Sequence, residues 1–404
     1  MFNPFTPGFT SDPYPHLREQ RETEPIQRLE FGPWILFEHA DSMALLRNTS
    51  TSVEIGNAVS LDPEREKLRE ALIDEVAPES KGRERLAILN IDPPDHTRLR
   101  KLVSSVFTPR RIGELQPMIE RVVNEHLDAV EADGSMDLIG DLAFPLPFTV
   151  ISEMLGMPTE HREQVREWSH TLVRILDFTI SEDETRAALI AGSRMRQHLS
   201  EVIEWKRSNP ADDLLTAMIR AEADGDKMSD AELLEQVTLL YIAGHETTVN
   251  LIGNGTWALL QHRDQLERWR DGDVDDTVAI DELLRFDSPV QLSRRIAMAP
   301  MEIHGQLIEP GSFVFTSLGS ANRDRLMFGD SADELDLGRA DASRHLSFGS
   351  GVHHCLGASL ARLQGAEAIR GLIQRFPEVQ AEAEPEWNGR LVLHGMESLR
   401  LALR

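Results

Sequence analysis

The chain has 404 residues, of which 42 are Lys or Arg and 68 are Asp or Glu, giving a formal net charge of −26. This acidic balance argues against a nucleic-acid-binding surface and favours a soluble protein. The single cysteine excludes an intramolecular disulfide and every zinc or iron–sulfur site that needs four thiolates. The N-terminal residues lack the pattern of a secretory signal, and no stretch approaches the roughly 18 apolar residues of a membrane span.

Helical periodicity dominates residues 64–272, where apolar residues recur at helical spacing with charges between them. The segments with this pattern are Ile112–Ala132, Glu160–Ile175, Ser181–Arg207 and Ser229–His262. Alternation typical of strands is found at Ile26–Phe37, Val290–Ile308, Ser312–Leu318 and Leu391–Leu403. We therefore predict one domain over residues 1–404 that is mainly α-helical, with small β portions near both ends.

A basic pair follows a proline-marked helix start. Asp92-Pro93-Pro94 precedes His96 and Arg100, which are four residues apart and share one helix face. A solvated basic turn is one interpretation. The alternative, a clamp for the acidic groups of a ligand, depends on the cysteine loop described below.

The longest predicted helix begins with a capping box, Ser229-Asp-Ala-Glu232, and extends to about His262. Its middle, residues 243–248, reads Ala-Gly-His-Glu-Thr-Thr. This segment has low helix propensity, because glycine is unfavourable in a helix and threonine hydroxyls compete for backbone carbonyls. A polar face turned to solvent or to a neighbouring helix is one interpretation. A zinc-protease interpretation of His245 fails, because Val249 stands where the second histidine is required.

Two later pairs are ambiguous by themselves. Glu282 and Arg285 are three residues apart in a helix that ends before Pro289, and such a pair is by default an exposed ion pair. Arg294 and Arg295 are adjacent in a predicted strand, so their side chains point to opposite faces.

The single cysteine, Cys355, lies in the run from Phe348 to Gly357, which contains three glycines within nine residues. Glycines let the backbone bend tightly and lie close against a flat group. The following residues are rich in Ala, Leu and Arg and predict a helix that begins at Cys355. A sulfur at a helix N-terminus is favoured as thiolate, so the loop indicates a heme; a buried, inert cysteine is the alternative.

The run resembles the heme-binding loop of the cytochrome P450 family, whose fixed positions are matched by Phe348, Gly351, His353, Cys355 and Gly357. The resemblance covers residues 12–404 and implies the cytochrome P450 fold, an α-rich prism with the cofactor between the long central helix and the cysteine-loop helix. It also implies heme b (iron protoporphyrin IX), with Cys355 as the metal ligand and Phe348, Gly351 and His353 in the cofactor-binding loop.

The same resemblance implies roles for distant residues. The heme propionates would be clamped by four basic side chains, those of His96, Arg100, Arg295 and His353. The catalytic pair on the opposite side of the heme would be Glu246, which relays protons, and Thr247, which donates a hydrogen bond.

A structural core is implied as well, formed by Glu282, Arg285 and Arg339. The family places Glu-x-x-Arg about 70 residues before the cysteine, and the separation from Arg285 to Cys355 is 70 here. This network would be buried and would not take part in catalysis.

The implied activity is that of a monooxygenase that inserts one oxygen atom from O2 into a medium-sized apolar substrate, by hydroxylation or epoxidation. The predicted substrate contacts are Leu239, Ala243, Val290, Leu292 and Met396, with further walls from residues 61–90 and 172–181. An apolar pocket discriminates weakly between lipophiles, so these residues do not identify the substrate.

The chain carries no nicotinamide or flavin motif, so electrons are expected from a separate ferredoxin or flavodoxin. The residues predicted to dock this partner are Lys101, Arg110, Arg111, Arg344 and Arg362; scattered, solvated side chains are the alternative. We expect a cytoplasmic monomer that binds neither membrane nor nucleic acid. The rival functions are a peroxide-driven peroxygenase, which usually lacks the acid–alcohol pair, and a non-enzymatic heme sensor or carrier.

Overall fold

The computed structural model describes residues 2–30, 32–59, 63–80, 86–158, 162–177, 180–223 and 225–403. The chain divides into two compact units. The first unit comprises Met1–Thr51, Gln116–Pro147 and Thr247–Arg404, and the second comprises Ser52–Leu115 and Phe148–Glu246. The expectation of one domain over the whole chain stays a prediction.

The described residues are mainly helical. The helices are α1 Tyr14–Thr23, α2 His39–Arg47, α3 Pro63–Val76, α4 Asp95–Val106, α5 Pro109–Gly113, α6 Gln116–Glu131, α7 Pro145–Met154, α8 Arg162–Val173, α9 Glu182–Ser208, α10 Leu214–Arg220, α11 Asp230–Gln261, α12 Arg263–Arg270, α13 Asp276–Phe286, α14 Leu318–Ala321, α15 Arg325–Phe328 and α16 Ala358–Arg375.

The strands are short, and none of those in the described residues exceeds Leu292–Ala297 in length. They are β1 Ile26–Arg28, β2 Trp34–Leu36, β3 Thr51–Ser52, β4 Ser135–Asp137, β5 Glu222–Ala223, β6 Asp226–Lys227, β7 Leu292–Ala297, β8 Met301–Ile303, β9 Gln306–Ile308, β10 Phe313–Ser317, β11 Gln380–Ala381, β12 Glu386–Trp387, β13 Met396–Ser398 and β14 Arg400–Ala402.

These elements confirm a mainly α-helical fold with small β portions. The four predicted helices are α6, α8, α9 and α11, with ends shifted by a few residues. Glu160, the predicted start of one of them, lies outside the described residues. The capping box of α11 forms as predicted, because the Ser229 amide donates to the Glu232 carboxylate at 2.7 Å and the Glu232 amide donates to Ser229 Oγ at 3.3 Å.

The main sheet has the strand order β1-β2-β10-β7-β3, and β1, β2, β10 and β7 lie in the first unit. The alternation at 26–37 is therefore two strands, joined by a turn in which Gly32 has φ 111°. Strand β10 pairs with β7 so that Val314 faces Arg295 and Phe315 faces Arg294. A cluster of buried apolar residues that includes Leu36, Val314 and Ala297 covers the Arg295 face, so Arg294 lies on the opposite face.

Glycines let three helices of the first unit approach closely. A Cβ at Gly255 of α11 would lie 3.0 Å from Ile369 of α16 and 3.2 Å from Leu283 of α13. A Cβ at Gly365 of α16 would lie 2.8 Å from Leu251 of α11. The residues of α11 from 247 onward therefore pack against α16, which follows the cysteine loop, and against α13, which contains Glu282.

In the second unit, α9 is joined to α10 by a buried ion pair. Lys206 near the end of α9 contacts Asp213, whose carboxylate also accepts a hydrogen bond of 2.8 Å from the Thr216 amide at the start of α10. At the other end of α9, hydrogen bonds with Ser181 lower the pKa of Glu184 to about 2. None of the described helices combines the length and apolar composition needed to cross a lipid bilayer.

Candidate active site

Cys355 lies two residues before the N-cap of α16, so the prediction that the helix begins at the cysteine is wrong. The helix begins at Ala358 with Gly357 as N-cap, and both His354 and Cys355 lie outside regular structure. The Cys355 amide donates to the Phe348 carbonyl at 2.9 Å, which closes the loop on itself. The cysteine is exposed. A buried, inert cysteine does not fit this position.

Gly351 holds the cysteine loop against α2. Its φ is +73°, and a Cβ there would lie 2.6 Å from the backbone oxygen of Leu46. The neighbouring Ser350 hydroxyl accepts a hydrogen bond of 2.8 Å from Arg47 Nε. The sequence suggests that the glycines allow approach to a flat group, and the structure adds close packing against α2 at this position.

A buried cluster that the sequence reasoning missed lies behind the cysteine loop. Arg362 Nε of α16 donates to Asp281 Oδ1 of α13 at 2.7 Å, and His345 Nε2 lies 3.3 Å from the same oxygen. The Arg362 guanidinium lies 4.6 Å from the ring centroid of Phe348. The ring of His345 lies 5.4 Å from that of Phe348. We call Asp281, His345 and Arg362 the Asp281 cluster.

The charges of the Asp281 cluster are set by its burial and its hydrogen bonds. Burial lowers the pKa of His345, and the hydrogen bond to Asp281 opposes this effect. Burial acts to raise the pKa of Asp281, but the hydrogen bonds from His345 and Arg362 lower it overall. At neutral pH the cluster is therefore a neutral imidazole and a guanidinium on one carboxylate.

Arg362 does not belong to the predicted docking patch, because it is part of the Asp281 cluster. Arg362 is committed to Asp281 and to the face of Phe348, and its side chain is 25% exposed. Arg344 is exposed in the first unit, and Lys101 and Arg110 are exposed in the second. Arg111 lies 3.9 Å from Asp212.

Glu282, Arg285 and Arg339 form a buried network in the first unit. Arg285 binds both carboxylate oxygens of Glu282, at 2.6 and 2.8 Å, and both side chains are fully buried. Arg339 Nε donates to Glu282 Oε1 at 3.2 Å. Arg285 also donates to the carbonyls of Asn322 and Ala332, at 2.9 and 2.6 Å. An exposed i,i+3 ion pair, the default interpretation, is excluded by this burial.

Arg295 and His353 belong to the first unit as well. Arg295 is buried, and its Nη1 donates to the Arg294 carbonyl at 2.7 Å. His353 is half-buried at the end of a single 3-10 turn, Gly351–His353, within the cysteine loop. His353 thus lies two residues before Cys355, whereas Arg295 lies on β7 of the main sheet.

His96 and Arg100 lie on α4 of the second unit. His96 is buried, and burial, with the nearby charge of Arg100 adding to it, lowers the pKa of His96. Arg98, between them, faces away and pairs with Asp226 at 3.2 Å and with Glu232. A buried, neutral imidazole beside a guanidinium does not fit a solvated basic turn.

Helix α11 runs unbroken through residues 243–248. His245, Glu246 and Thr248 are buried, which contradicts a solvent-facing polar stripe. Glu246 does meet a neighbouring helix, because its Oε2 lies 3.5 Å from Nδ1 of His170 on α8. Ala243, in contrast, is exposed, and Leu239 and Thr247, one turn before and after it, are half-buried.

The other predicted substrate contacts lie in the first unit. Val290 forms a single antiparallel bridge with Leu393, and Leu292 is half-buried at the start of β7. Met396 is buried in β13, and its sulfur would lie 3.7 Å from a Cβ at Gly253 of α11. Of the further predicted walls, residues 61–62, 81–85 and 178–179 lie outside the described residues.

Comparison with known proteins gives consistent matches. The family described as "Cytochrome P450" matches residues 64–271 and 277–393. The polyketide biosynthesis cytochrome P450 PksS of Bacillus subtilis (strain 168) is 36% identical over 414 positions, which cover 100% of this chain and 98% of that protein. The solved structure of PksS from Bacillus subtilis 168 has a TM-score of 0.88 at 36% identity and covers 100% of both chains. CYP109E1 from Bacillus megaterium, solved in complex with testosterone, has a TM-score of 0.83 at 28% identity, again over 100% of both chains.

Proposed function

Because this chain belongs to the cytochrome P450 family, we propose that it inserts one oxygen atom from O2 into a medium-sized apolar substrate, with Cys355 as the ligand of its heme iron. The fold is the cytochrome P450 fold that the sequence predicts. The protein is a monooxygenase, its cofactor is heme b, and it acts with a small substrate, O2 and a redox partner.

The observation that carries the proposal is the presentation of Cys355. The chain's single thiol is exposed at the end of a loop that the hydrogen bond from its own amide to Phe348 keeps closed. The donor set fits heme, which takes one thiolate from the protein, and it does not fit a metal that needs several. When bound, the heme supplies the activation of O2 with two electrons.

The propionates of the heme need cationic or hydrogen-bonding partners. We assign His96 and Arg100 of α4, Arg295 of β7 and His353 to this role. The burial of His96 and Arg295 supports the assignment, because buried polar groups are expected to meet specific partners. A neutral His96 would donate one hydrogen bond, and Arg295 would bring a positive charge.

Glu246 and Thr247 would supply the protons that the reaction consumes. A buried carboxylate can pass a proton only if it has a hydrogen-bonding route to water. His170, whose side chain is 37% exposed, has its Nδ1 3.5 Å from Glu246 Oε2 and would lead from this carboxylate toward solvent. The Thr247 hydroxyl would donate a hydrogen bond toward the reacting oxygen. This pair favours the monooxygenase over a peroxygenase, which usually lacks the acid–alcohol pair, and over a heme sensor, which needs no proton relay.

The substrate would contact Leu239, Ala243, Val290, Leu292 and Met396. PksS is named for polyketide biosynthesis, and CYP109E1 was solved with testosterone. Both kinds of molecule are medium-sized lipophiles, which supports an apolar substrate here. We assign the electron supply to a ferredoxin or flavodoxin that binds the basic side chains of Lys101, Arg110, Arg111 and Arg344, and the protein acts as a monomer.

The CO spectrum of the reduced protein tests the central proposal. We expect a red-shifted, thiolate-type Soret band in the wild type and its loss in Cys355→Ser. A wild-type spectrum without that band would contradict the proposal. Turnover with ferredoxin, reductase and O2, compared with peroxide alone, then separates the monooxygenase from a peroxygenase, because only the first depends on both the reductant and O2.

A further inference from the structure

The two consecutive arginines of β7 lie on opposite faces of the main sheet. Arg295 shares its face with Val314 and Trp34, whereas Arg294 shares the other with Phe315 and Ile35. Leu292, two residues before Arg294 in the same strand, lies on the Arg294 face. Arg294 is therefore placed beside a predicted substrate contact and away from the residue assigned to a propionate.

Arg294 has no partner within the described part of the chain. It is half-buried, and its guanidinium makes neither a hydrogen bond nor an ion pair with any described residue. Burial lowers the pKa of Arg294, and no neighbouring carboxylate offsets this effect. Four of the arginines described above have acidic partners instead, namely Arg98, Arg285, Arg339 and Arg362. A half-buried guanidinium without an anion is less stable than a paired one, and this chain has an excess of acids that could have paired with it.

Ser317 adds a second unused polar group to the same face. It pairs with Leu292 across the sheet, is 1% exposed, and its Oγ makes no hydrogen bond with a described residue. It stands at the N-cap of α14, where serine usually caps, but its side chain forms no such bond. Diagonal neighbours across an antiparallel pair are about 7–8 Å apart, which is within reach of a long side chain such as Arg294.

We propose that Arg294 and Ser317 bind a carboxylate group of the substrate, while Leu292 contacts its apolar part. The proposal rests on the proposed function, which puts Leu292 in the substrate pocket. A guanidinium fork matches a carboxylate, and a hydroxyl can complete its hydrogen bonds. One arginine neutralises one carboxylate, whereas a phosphate ester would bring about two charges to a chain that is already strongly acidic. The substrate class is thus a lipophilic carboxylic acid.

The heme propionates are the other carboxylates that could approach this sheet. For Arg294 to bind a propionate together with Arg295, both side chains would have to lie on one face of the sheet. Successive residues of a strand lie on opposite faces, so this arrangement is not allowed. A variant that removes the Arg294 charge should therefore keep its heme, and Arg295→Gln should lose heme. This contrast separates a substrate site from a propionate site.

The experiment measures binding of matched acids and esters to the heme-loaded protein by equilibrium dialysis and by the spin-state change. The probes are dodecanoic acid and lithocholic acid, each paired with its methyl ester. We expect the wild type to bind at least one acid about tenfold more tightly than its ester. Arg294→Gln should remove that preference with the ester affinity unchanged, Arg294→Lys should keep part of it, and Ser317→Ala should reduce it severalfold.

Arg28→Gln is the matched control, because Arg28 is an exposed arginine of the same sheet on the Arg295 face, paired with Trp34. It should keep the full preference. If no acid binds the wild type more tightly than its ester, or if Arg294→Gln keeps the preference, the proposal is wrong. Loss of heme in Arg294→Gln would also overturn it, in favour of a propionate contact. Failure of the proposed function would appear separately, as a missing thiolate-type band in the wild type.

Discussion

The guanidinium of Arg362 lies 4.6 Å from the ring centroid of Phe348, the residue whose carbonyl accepts the hydrogen bond from the Cys355 amide. Arg362 is itself fixed by Asp281, at 2.7 Å. A charged pair between α13 and α16 thus supports the loop that presents the thiol.

We expect Arg362→Ala to reduce the free energy of unfolding by about 2 kcal/mol, because it leaves the buried Asp281 carboxylate without its main donor. Arg370→Ala is the control: Arg370 joins the same two helices through Asp276, also at 2.7 Å, but both side chains are over a third exposed. Such a surface pair contributes about 0.5 kcal/mol or less. Urea unfolding checks both variants, and equal losses would contradict the importance of burial at Asp281.

The stability of the protein should fall as the pH is lowered below about 6.5, in part because of His345. Burial holds the pKa of His345 below its unfolded value, so the unfolded state binds the proton first. One such group contributes a slope of at most about 1.4 kcal/mol per pH unit. Between about pH 6.5 and 5.5, the free energy of unfolding of His345→Gln should therefore decrease less steeply than that of the wild type. An identical slope in urea titrations would show that His345 does not contribute.

Two glycine substitutions in the cysteine loop should differ in severity. Gly349→Ala introduces only backbone strain, since its φ is +68° and a Cβ there would meet nothing within 4 Å. We expect a cost of about 1 kcal/mol. Gly351→Ala adds a contact of 2.6 Å with the Leu46 carbonyl and should also reduce the heme bound per chain. Heme content and thermal unfolding are measured for both variants. If the two variants bind the same amount of heme and unfold at the same temperature, the packing of Gly351 against α2 is unimportant.

Arg285→Ala should destabilise the protein by more than about 3 kcal/mol and abolish heme binding, because Glu282 would be left as a fully buried, partly unpaired charge. Arg285→Lys should fail too, since lysine cannot bind both carboxylate oxygens at once. Arg121→Ala, which removes an exposed i,i+4 pair with Glu125, is the control and should keep normal heme content. Normal heme content in Arg285→Ala would refute the structural role.

Glu246→Gln should lower the rate of product formation by about a hundredfold while substrate affinity and the CO spectrum stay normal. The amide cannot carry the proton that the buried carboxylate passes on. Thr247→Ala should release more hydrogen peroxide per electron pair consumed, and Thr247→Ser, which keeps the hydroxyl, should not. Coupled turnover at the wild-type rate in Glu246→Gln would exclude it as the relay.

Local patterns allowed much of the fold to be predicted from the sequence. Helices α6, α8, α9 and α11 follow from apolar periodicity, and the start of α11 follows from the Ser229–Glu232 capping box. Composition places the start of α16 three residues too early, because it does not show that the Cys355 amide is bonded to the Phe348 carbonyl outside the helix. The hairpin at 26–37 reads as one run because β1 and β2 keep the same alternation on either side of the turn.

The candidate site was less predictable wherever its contacts join distant parts of the chain. The Asp281 cluster joins residues 81 positions apart, and neither Asp281 nor Arg362 stands in an unusual local pattern. An acid directly before Glu282 was the only available signal. The sequence does predict that Arg294 and Arg295 lie on opposite faces of the strand. That no described carboxylate lies beside Arg294 can be seen only from the structure.

The hydrogen bond from Arg47 to Ser350 spans 303 positions. Helix α2 therefore leaves the ribosome long before its partner loop exists. At translation rates of about 5–20 residues per second, this interval is on the order of tens of seconds. The loop that presents the thiol is completed only when most of the chain has been made, so a chain that ends before Cys355 lacks the thiolate that would hold the heme iron.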